Sequence, residues 1–478
     1  MLHEEELIGV LKETMVRWDI PGLAIAIVQG NEIVFGQTYG VQSTATGVPI
    51  GLDSVFCIAS VSKCFVATAV MQMVERGQVE LDAAVSEYLP YFRLDDHRFT
   101  QITIRQVLSH TAGLPDISEF EYHELLAHPE ADEGSAERYV RSLGNRKLVA
   151  RPGERFSYSN IGYNVLGDLL AKVSGKPFET LIQESIMLPS GMPHSTFLLA
   201  EVLRDRLAVP HLFSPKVLPN PVYPYHRADA PASFLHSTVV DMCHWAMTSL
   251  SRGTFAGRSI LSPAAYAQMW APVASWGPPF PSIYEDMALG WTLGHYKGIE
   301  TVSHGGMGLG WIDFLLMMPE KNSAVVLMCN DESPVRNRIV RAAADVLIGE
   351  RPELEPVSWM VPISRALADG GIPAALACSE EINQRPDAGF YVDPHDLNSL
   401  AFQLFSAGRL DLASGVLDLN LRFFPEHVDS YLMRAELQIR QGHAASAERS
   451  LEAAVRIDPG NTCVLQALER IRSGISRG

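Results

Sequence analysis

The sequence predicts an α+β fold: a mainly antiparallel sheet covered by helices, with a helical region inserted among the strands, followed by an all-α array of hairpins. Three observations lead there. β-rich runs lie near both ends of residues 1–350, residues 77–236 between them read as helices and loops, and the tail from residue 386 repeats itself at an interval of 34. A chain of 478 residues with 47% hydrophobic content is long enough for a large core and roughly two to four domains.

The first element is an amphipathic helix that carries Leu7, Leu11 and Val16 toward the core and ends before Pro21. The runs Leu23–Val28 and Ile33–Tyr39 flank Gly30-Asn31, the signature of a hairpin. Beyond Ser60, the spacing of Val66, Ala69, Val70, Met73 and Val74 predicts a helix that stops at Gly77. Pro90, Pro115, Pro152, Pro189 and Pro193 then punctuate the helical region. Two Pro- and aromatic-rich stretches, His211–Pro231 and Pro278-Pro279-Phe280-Pro281 after Trp276, read either as pocket walls bearing Tyr223, Tyr225 and Trp276 or as irregular surface connections.

Strands are expected at Ala288–Tyr296, Thr301–His304, Trp311–Met318 and Ser323–Cys329, with a helix over Val335–Ile348 closing the unit. Pro352, Pro356 and Pro362 mark residues 351–385 as a linker, with a degenerate helical unit around Gly371, Ala374 and Ala375. In the tail, Ala401 and Ala435, Gly408 and Gly442, Ala413 and Ala447, Leu417 and Leu451, and Pro425 and Pro459 are each 34 apart, the period of tetratricopeptide hairpins. Single hairpins of this kind cannot bury their faces, so they are expected to stack. Their role is either a stabilising cap or self-association element, or a groove for a protein partner.

The net charge of −17 argues against nucleic acid and against anionic membrane as partners. No basic region followed by an apolar core opens the chain, and no apolar run has the length to span a bilayer, so a soluble protein is expected. The six cysteines are dispersed without paired spacing, which fits reduced, mostly buried thiols and a cytoplasmic location; Cys57 and Cys64 read as packing residues.

Three motifs carry chemistry. Phe56-Cys57-Ile58-Ala59-Ser60-Val61-Ser62-Lys63 places a hydroxyl and an amine three residues apart, within reach on one helical face. A serine hydroxyl needs a neighbour to accept its proton, and a lysine can do so once burial holds it neutral. Phe156-Ser157-Tyr158-Ser159-Asn160 sets a phenol and an amide on the same side of an extended segment; the plain alternative is a packed Tyr and a helix-capping Asn. Ser303-His304-Gly305-Gly306-Met307-Gly308 ends a predicted strand, where Gly305 and Gly306 would let a substrate backbone approach and the Met307 N–H would serve as an oxyanion donor beside that of Ser60. A phosphate loop fits less well, because no Gly-Lys-Ser/Thr ending follows.

The segment His123-Glu124-Leu125-Leu126-Ala127-His128 imitates a zinc-protease helix, but histidines five apart on a helix diverge by about 140° and do not share a metal. His110 is read as bonding backbone. No metal and no cofactor are expected.

In this order the three motifs resemble those of the serine β-lactamase and penicillin-binding-protein superfamily, most closely the class C β-lactamase-like branch that also holds D-stereospecific aminopeptidases and family VIII carboxylesterases. Ile102-Thr103-Ile104-Arg105-Gln106-Val107-Leu108-Ser109-His110-Thr111-Ala112-Gly113-Leu114 and Gly77-Gln78-Val79-Glu80-Leu81-Asp82 look like that branch too, so the resemblance covers roughly residues 5 to 350. It implies a β-lactamase/transpeptidase-like fold and an acyl-enzyme on Ser60. Lys63 and Tyr158 would share acid and base duties, Asn160 would orient Lys63 and the substrate, and His304 would steer the proton network. Which of Lys63 and Tyr158 takes the first proton stays open, because such a pair titrates together.

Where class C β-lactamases carry Lys-Thr-Gly, this chain has His304-Gly305-Gly306. Losing that charge-assisted grip on a carboxylate costs about 1.5–3 kcal/mol. The expected substrate is therefore a small acyl ester. A D-amino-acid amidase or peptidase, or a weak β-lactamase, is the second reading, and a scaffold that recruits a partner through the tail is the non-enzymatic one.

Overall fold

Eight strands build one antiparallel sheet in which the adjacent runs Trp311–Met318 and Ser323–Cys329 are buried throughout. The computed structural model describes residues 2–213, 216–277, 283–385 and 389–472. The chain divides into two compact units, one of Met1–Val16, Ile20–His211 and Val222–Leu354, the other of Arg17–Asp19, Leu212–Pro221 and Glu355–Gly478. No described helix is long and apolar enough to cross a membrane.

In the first unit, β1 (Gly22–Gln29) and β2 (Glu32–Gly40) form the hairpin that Gly30-Asn31 predicts, with Gly30 at φ 64° in the turn. Every residue of β1 except Gln29 is buried, because this run is continuously apolar and is covered on both faces. Short strands β3 (Val55–Cys57) and β4 (His236–Thr238) pair with each other away from the main sheet. The later strands are β5 (Ala274–Ser275), β6 (Asp286–Met287), β7 (Thr292–Tyr296), β8 (Ile299–Gly308), β9 (Trp311–Met318) and β10 (Ser323–Cys329). Their order, β2-β1-β10-β9-β8-β7-β6-β5, joins the first strands to the last, with Leu23 opposite Cys329 and Gln29 opposite Ser323.

Helices close over this sheet. The N-terminal helix α1 (Glu4–Trp18) buries Leu7 and Leu11, but Val16 is 72% exposed and Thr14 is buried in its place. The expected stripe fails there because a step of five from Leu11 leaves the helical face that a step of three keeps. Helix α2 (Ser62–Glu75) is buried along its whole length from Ser62 to Met73, so it is a core helix rather than an amphipathic one. Its polar side chains are satisfied internally: Thr68 Oγ1 donates to Cys64 O at 2.8 Å, and Gln72 Nε2 donates to Ile260 O at 2.8 Å. Helix α3 (Asn160–Ser174) packs beside it, and α4 (Val239–Leu250) stacks Trp245 on Phe65 with ring centroids 4.2 Å apart. Helix α5 (Arg336–Leu347) follows β10 and packs on β9 and β10, as the expected closing helix does.

Two further expectations are corrected, and a third is not reached. Ala288–Gly290 is a turn between β6 and β7, with Gly290 at φ 78° where a continuous strand was expected. Pro362, read as linker, lies in the first turn of α6 (Met360–Gln384), where the missing N–H removes no helical bond. The segment Pro278-Pro279-Phe280-Pro281 lies outside the described residues.

In the second unit, α6 breaks at Gly371 (φ 67°, ψ −161°), so the degenerate unit around that glycine is a pair of helical pieces. Then follow α7 (Pro394–Ser406), α8 (Leu410–Phe423), α9 (Val428–Arg440), α10 (Ala444–Ile457) and α11 (Thr462–Arg472), an array of antiparallel helices. The repeated positions are equivalent in space as well. Ala401, Ala413, Leu417, Ala435, Ala447 and Leu451 are all buried, and Gly408 and Gly442 end α7 and α9 at φ 74° and 80°.

Candidate active site

The nucleophile candidate sits on a strained turn. After β3 the chain passes through Ala59 at φ 42°, a left-handed conformation costly for alanine, and reaches Ser60 just before α2. The first turn forms immediately, with Ser62 N–H bonded to Ala59 O and Lys63 N–H to Ser60 O, both at 3.0 Å. Ser60 is thus held at the end of a buried helix, the end where backbone N–H groups have no intrahelical acceptor.

The amine of Lys63 points at that hydroxyl. Its Nζ lies 2.9 Å from Ser60 Oγ, 2.7 Å from Asn160 Oδ1 and 2.8 Å from Ala232 O, and the side chain is 0% exposed. Burial lowers its pKa from the usual lysine range to about 7, against the opposing pull of Asp229 and Asp116. A neutral amine has two hydrogens and one lone pair. Asn160 Oδ1 and Ala232 O can only accept, so in the neutral form they would take both hydrogens and leave the lone pair facing Ser60.

Asp116 fixes the Asn160 amide in the orientation this needs. Its carboxylate accepts the Asn160 backbone N–H at 2.8 Å and the side-chain Nδ2 at 3.1 Å, which leaves Oδ1 turned toward Lys63. Asp229 is fully buried on the far side, accepts from Asn164 Nδ2 at 2.6 Å, and is itself pushed up by burial.

Tyr158 completes the cluster. Its phenol bonds the Ser60 side chain, its ring lies 5.0 Å from Lys63 Nζ, and burial raises its pKa so that it stays protonated near neutrality. His110 stacks on it with centroids 4.2 Å apart; His110 Nδ1 accepts from Ser159 N–H at 3.1 Å, so this histidine bonds backbone and braces the Tyr158 loop. Trp276 reaches the same wall, 4.6 Å from Phe156 and 6.4 Å from Tyr158. Of the other expected pocket aromatics, Tyr223 bonds His236 at 2.8 Å, and Tyr225 is turned into the core, its hydroxyl donating to Phe197 O at 3.0 Å.

His304 is 4% exposed and bonds Gly305 O through Nδ1 at 2.8 Å; burial first, then Lys63, lowers its pKa to about 3, so it is a neutral imidazole. The protein's own packing crowds the glycines after it, Gly305 against a side-chain end and Gly306 against backbone. A Cβ on Gly305 would lie 2.9 Å from Arg336 Nη1, and one on Gly306 only 2.4 Å from Ile58 O. What remains open is the strand's edge, since β7 pairs with β8 only as far as Ser303. Met307, 63% exposed, lies on that stretch.

This packing makes a prediction. Gly306→Ala is expected to destabilise the protein by about 1–3 kcal/mol and to displace Ser60, because the clash is with backbone. Gly308→Ala, whose Cβ would meet only Ala59 Cβ at 3.7 Å, is expected to be nearly neutral. Urea unfolding of the two variants, with activity measured alongside, checks the contrast.

Sequence reasoning brought Ser60, Lys63, Tyr158, Asn160 and His304 to one place but missed Asp116, Asp229 and Arg336. Arg336, the first residue of α5, donates from Nη1 to Gly306 O at 2.9 Å and from Nη2 to Tyr284 Oη at 3.3 Å, which sets a cation beside His304. Asp116 lies two residues beyond Leu114, where the family-like stretch ends, a signal that could have found it. Nothing local marks the other two. Cys57 and Cys64 are buried and donate to Ser233 O and Gly290 O, each at 3.3 Å, as packing residues do.

A family model described as Beta-lactamase matches residues 7–350. The chain is 27% identical over 316 residues to penicillin-binding protein 4 of Amycolatopsis lactamdurans, covering 65% of this chain and 81% of that one. It is 29% identical over 344 residues to an unguisins hydrolase of Aspergillus campestris, covering 68% of this chain and 61% of that one, less than two-thirds of its length. Among solved structures, the octameric penicillin-binding protein homologue from Pyrococcus abyssi superposes with a TM-score of 0.64 at 25% identity, over 77% of this chain and 81% of that one.

Proposed function

Because the chain belongs to the beta-lactamase family, whose members are serine hydrolases, we propose that it hydrolyses small acyl esters through an acyl-enzyme on Ser60. The observation that carries this reading is the buried Lys63 amine, whose Nζ lies 2.9 Å from Ser60 Oγ with Asn160 Oδ1 and Ala232 O as its other two neighbours. In the proposed first step Ser60 Oγ bonds to the acyl carbon as its proton passes to Lys63 Nζ. The N–H groups of Ser60 and Met307 bind the oxyanion. Collapse breaks the bond to the leaving oxygen, which takes a proton from Tyr158, and Tyr158 regains one from Lys63. Water then releases the acid by the same route in reverse. His304 and Asn160 act as positioning groups.

The choice of esters rests on the neutral His304 and on the absence of a lysine and a threonine at the strand end. A second reading, a D-amino-acid amide, peptide or β-lactam bearing a carboxylate, draws on Arg336, the cation beside His304. The tail is proposed as a tetratricopeptide-type array that caps the chain or mediates self-association. Rates on p-nitrophenyl acetate and butyrate, nitrocefin and D-alanine p-nitroanilide separate the two readings. The expected result is a kcat/KM on the esters about 10- to 150-fold above the other two, the equivalent of about 1.5–3 kcal/mol. Inert esters beside a hydrolysed anilide or nitrocefin would reverse the assignment.

A further inference from the structure

The 34-residue period of the tail sets Asp393-Pro394-His395-Asp396 and His427-Val428-Asp429-Ser430 at equivalent positions, at the starts of α7 and α9. These starts lie side by side. The ligand atoms of His395, His427 and Asp429 fall within 4.8 Å of one another, and the two imidazole rings are 4.7 Å apart, edge to face.

The surrounding hydrogen bonds determine which nitrogen of His427 is available. Ser430 Oγ donates its one hydrogen to Asn398 Oδ1 at 2.7 Å and accepts from Asn420 Nδ2 at 3.0 Å. Its contact with His427 Nδ1, at 2.8 Å, must therefore be an N–H donated by the imidazole. His427 is left with its lone pair on Nε2, and that atom is buried without a hydrogen-bond partner. Asp429 and Asp393 lie close enough to supply negative potential at the ring.

A buried lone pair, fixed by a hydrogen bond on the opposite nitrogen and carried on a ring that clusters with another imidazole and a carboxylate, is the arrangement of a histidine metal ligand. We propose that His395, His427 and Asp429 bind one divalent transition-metal ion of the zinc class at the junction of consecutive hairpins. Two ligands on one such ion lie about 3.3 Å apart, so closure asks only side-chain adjustments of about 1.5 Å or less. Two imidazoles and a carboxylate favour Zn²⁺, Co²⁺ or Ni²⁺ over Mg²⁺ or Ca²⁺. His395 and Asp429 are exposed, which leaves the site open to entering metal and to water as a fourth ligand. The bound ion would pin α7 to α9.

The test uses the untagged full chain, stripped with chelator and dialysed, then titrated with Zn²⁺ by calorimetry and with Co²⁺ by visible absorption. One saturable equivalent is expected, absent in His395→Ala and in Asp429→Asn. Ser430→Ala, which frees the His427 tautomer without removing a ligand, is expected to weaken binding about 10- to 100-fold. Far-ultraviolet circular dichroism and the thermal unfolding of each variant check that the helical tail still folds, independently of what the enzyme hydrolyses. Zero equivalents, or an equivalent that survives in a folded His395→Ala/His427→Ala double variant, would overturn the site.

Discussion

Replacing Lys63 with alanine is expected to slow acylation of Ser60 by about 10³- to 10⁴-fold, at the upper end of what a general base contributes. The expectation follows from geometry. Nζ lies 2.9 Å from Ser60 Oγ and in its neutral form can take the proton, and neither nearby imidazole is placed to stand in for it, since His304 is bonded to Gly305 O and His110 to the Ser159 N–H. The measurement is the rate at which a fluorophosphonate adds to the protein, read by intact mass and located by peptide mapping. The adduct should sit on Ser60, form slowly in Lys63→Ala, and vanish in Ser60→Ala. An adduct that maps elsewhere, or a Lys63→Ala rate within a few-fold of the parent, would remove Lys63 from the chemistry.

Replacing Tyr158 with phenylalanine is expected to lower kcat/KM by about 10²- to 10³-fold on an alkyl ester and by much less on a p-nitrophenyl ester. A poor leaving group needs the proton that the phenol supplies, whereas p-nitrophenolate leaves without it. The pH profile gives a second signature. Activity should rise as pH passes through about 7, where Lys63 loses its proton, and should persist beyond the ordinary tyrosine range because burial raises the Tyr158 phenol. Tyr158→Phe should leave the low-pH limb in place. A profile whose acid limb moves with Tyr158 would exchange the two roles. Stability carries the same sign. The unfolded chain binds a proton on Lys63 that the folded chain releases, so this residue's penalty eases as pH rises from about 7 toward the usual lysine range.

Much of this site was legible because its chemistry is written in short segments. The interval from Ser60 to Lys63 is a local constraint that a helix start satisfies by itself, and Tyr158 with Asn160 share a face of one extended stretch. The strands Trp311–Met318 and Ser323–Cys329 have the bounds the sequence predicts, since each is a mainly apolar run set off by Gly310, Pro319, Asn322 or Asn330. What was illegible is what arrives from far along the chain. Asp229 and Arg336 enter the site only once α2, the 230s and α5 have packed, and no spacing rule connects residues 63, 229 and 336. Likewise, the rule that dismisses His123 and His128 examines one helix, whereas His395, His427 and Asp429 meet across two. Gly305 and Gly306 were legible as glycines but not for their reason, which lies in Arg336 and Ile58 pressing against them.

The pairing of Leu23 with Cys329 has a consequence for biosynthesis. A nascent chain elongates at about 5–20 residues per second, so the first hairpin emerges roughly 15–60 s before its central neighbour exists. During that interval an apolar ribbon, Leu23-Ala24-Ile25-Ala26-Ile27-Val28, has one edge unmatched. Newly made chains should therefore depend on holding chaperones until translation passes Cys329, and circular permutants that bring β10 ahead of β1 should shed that dependence.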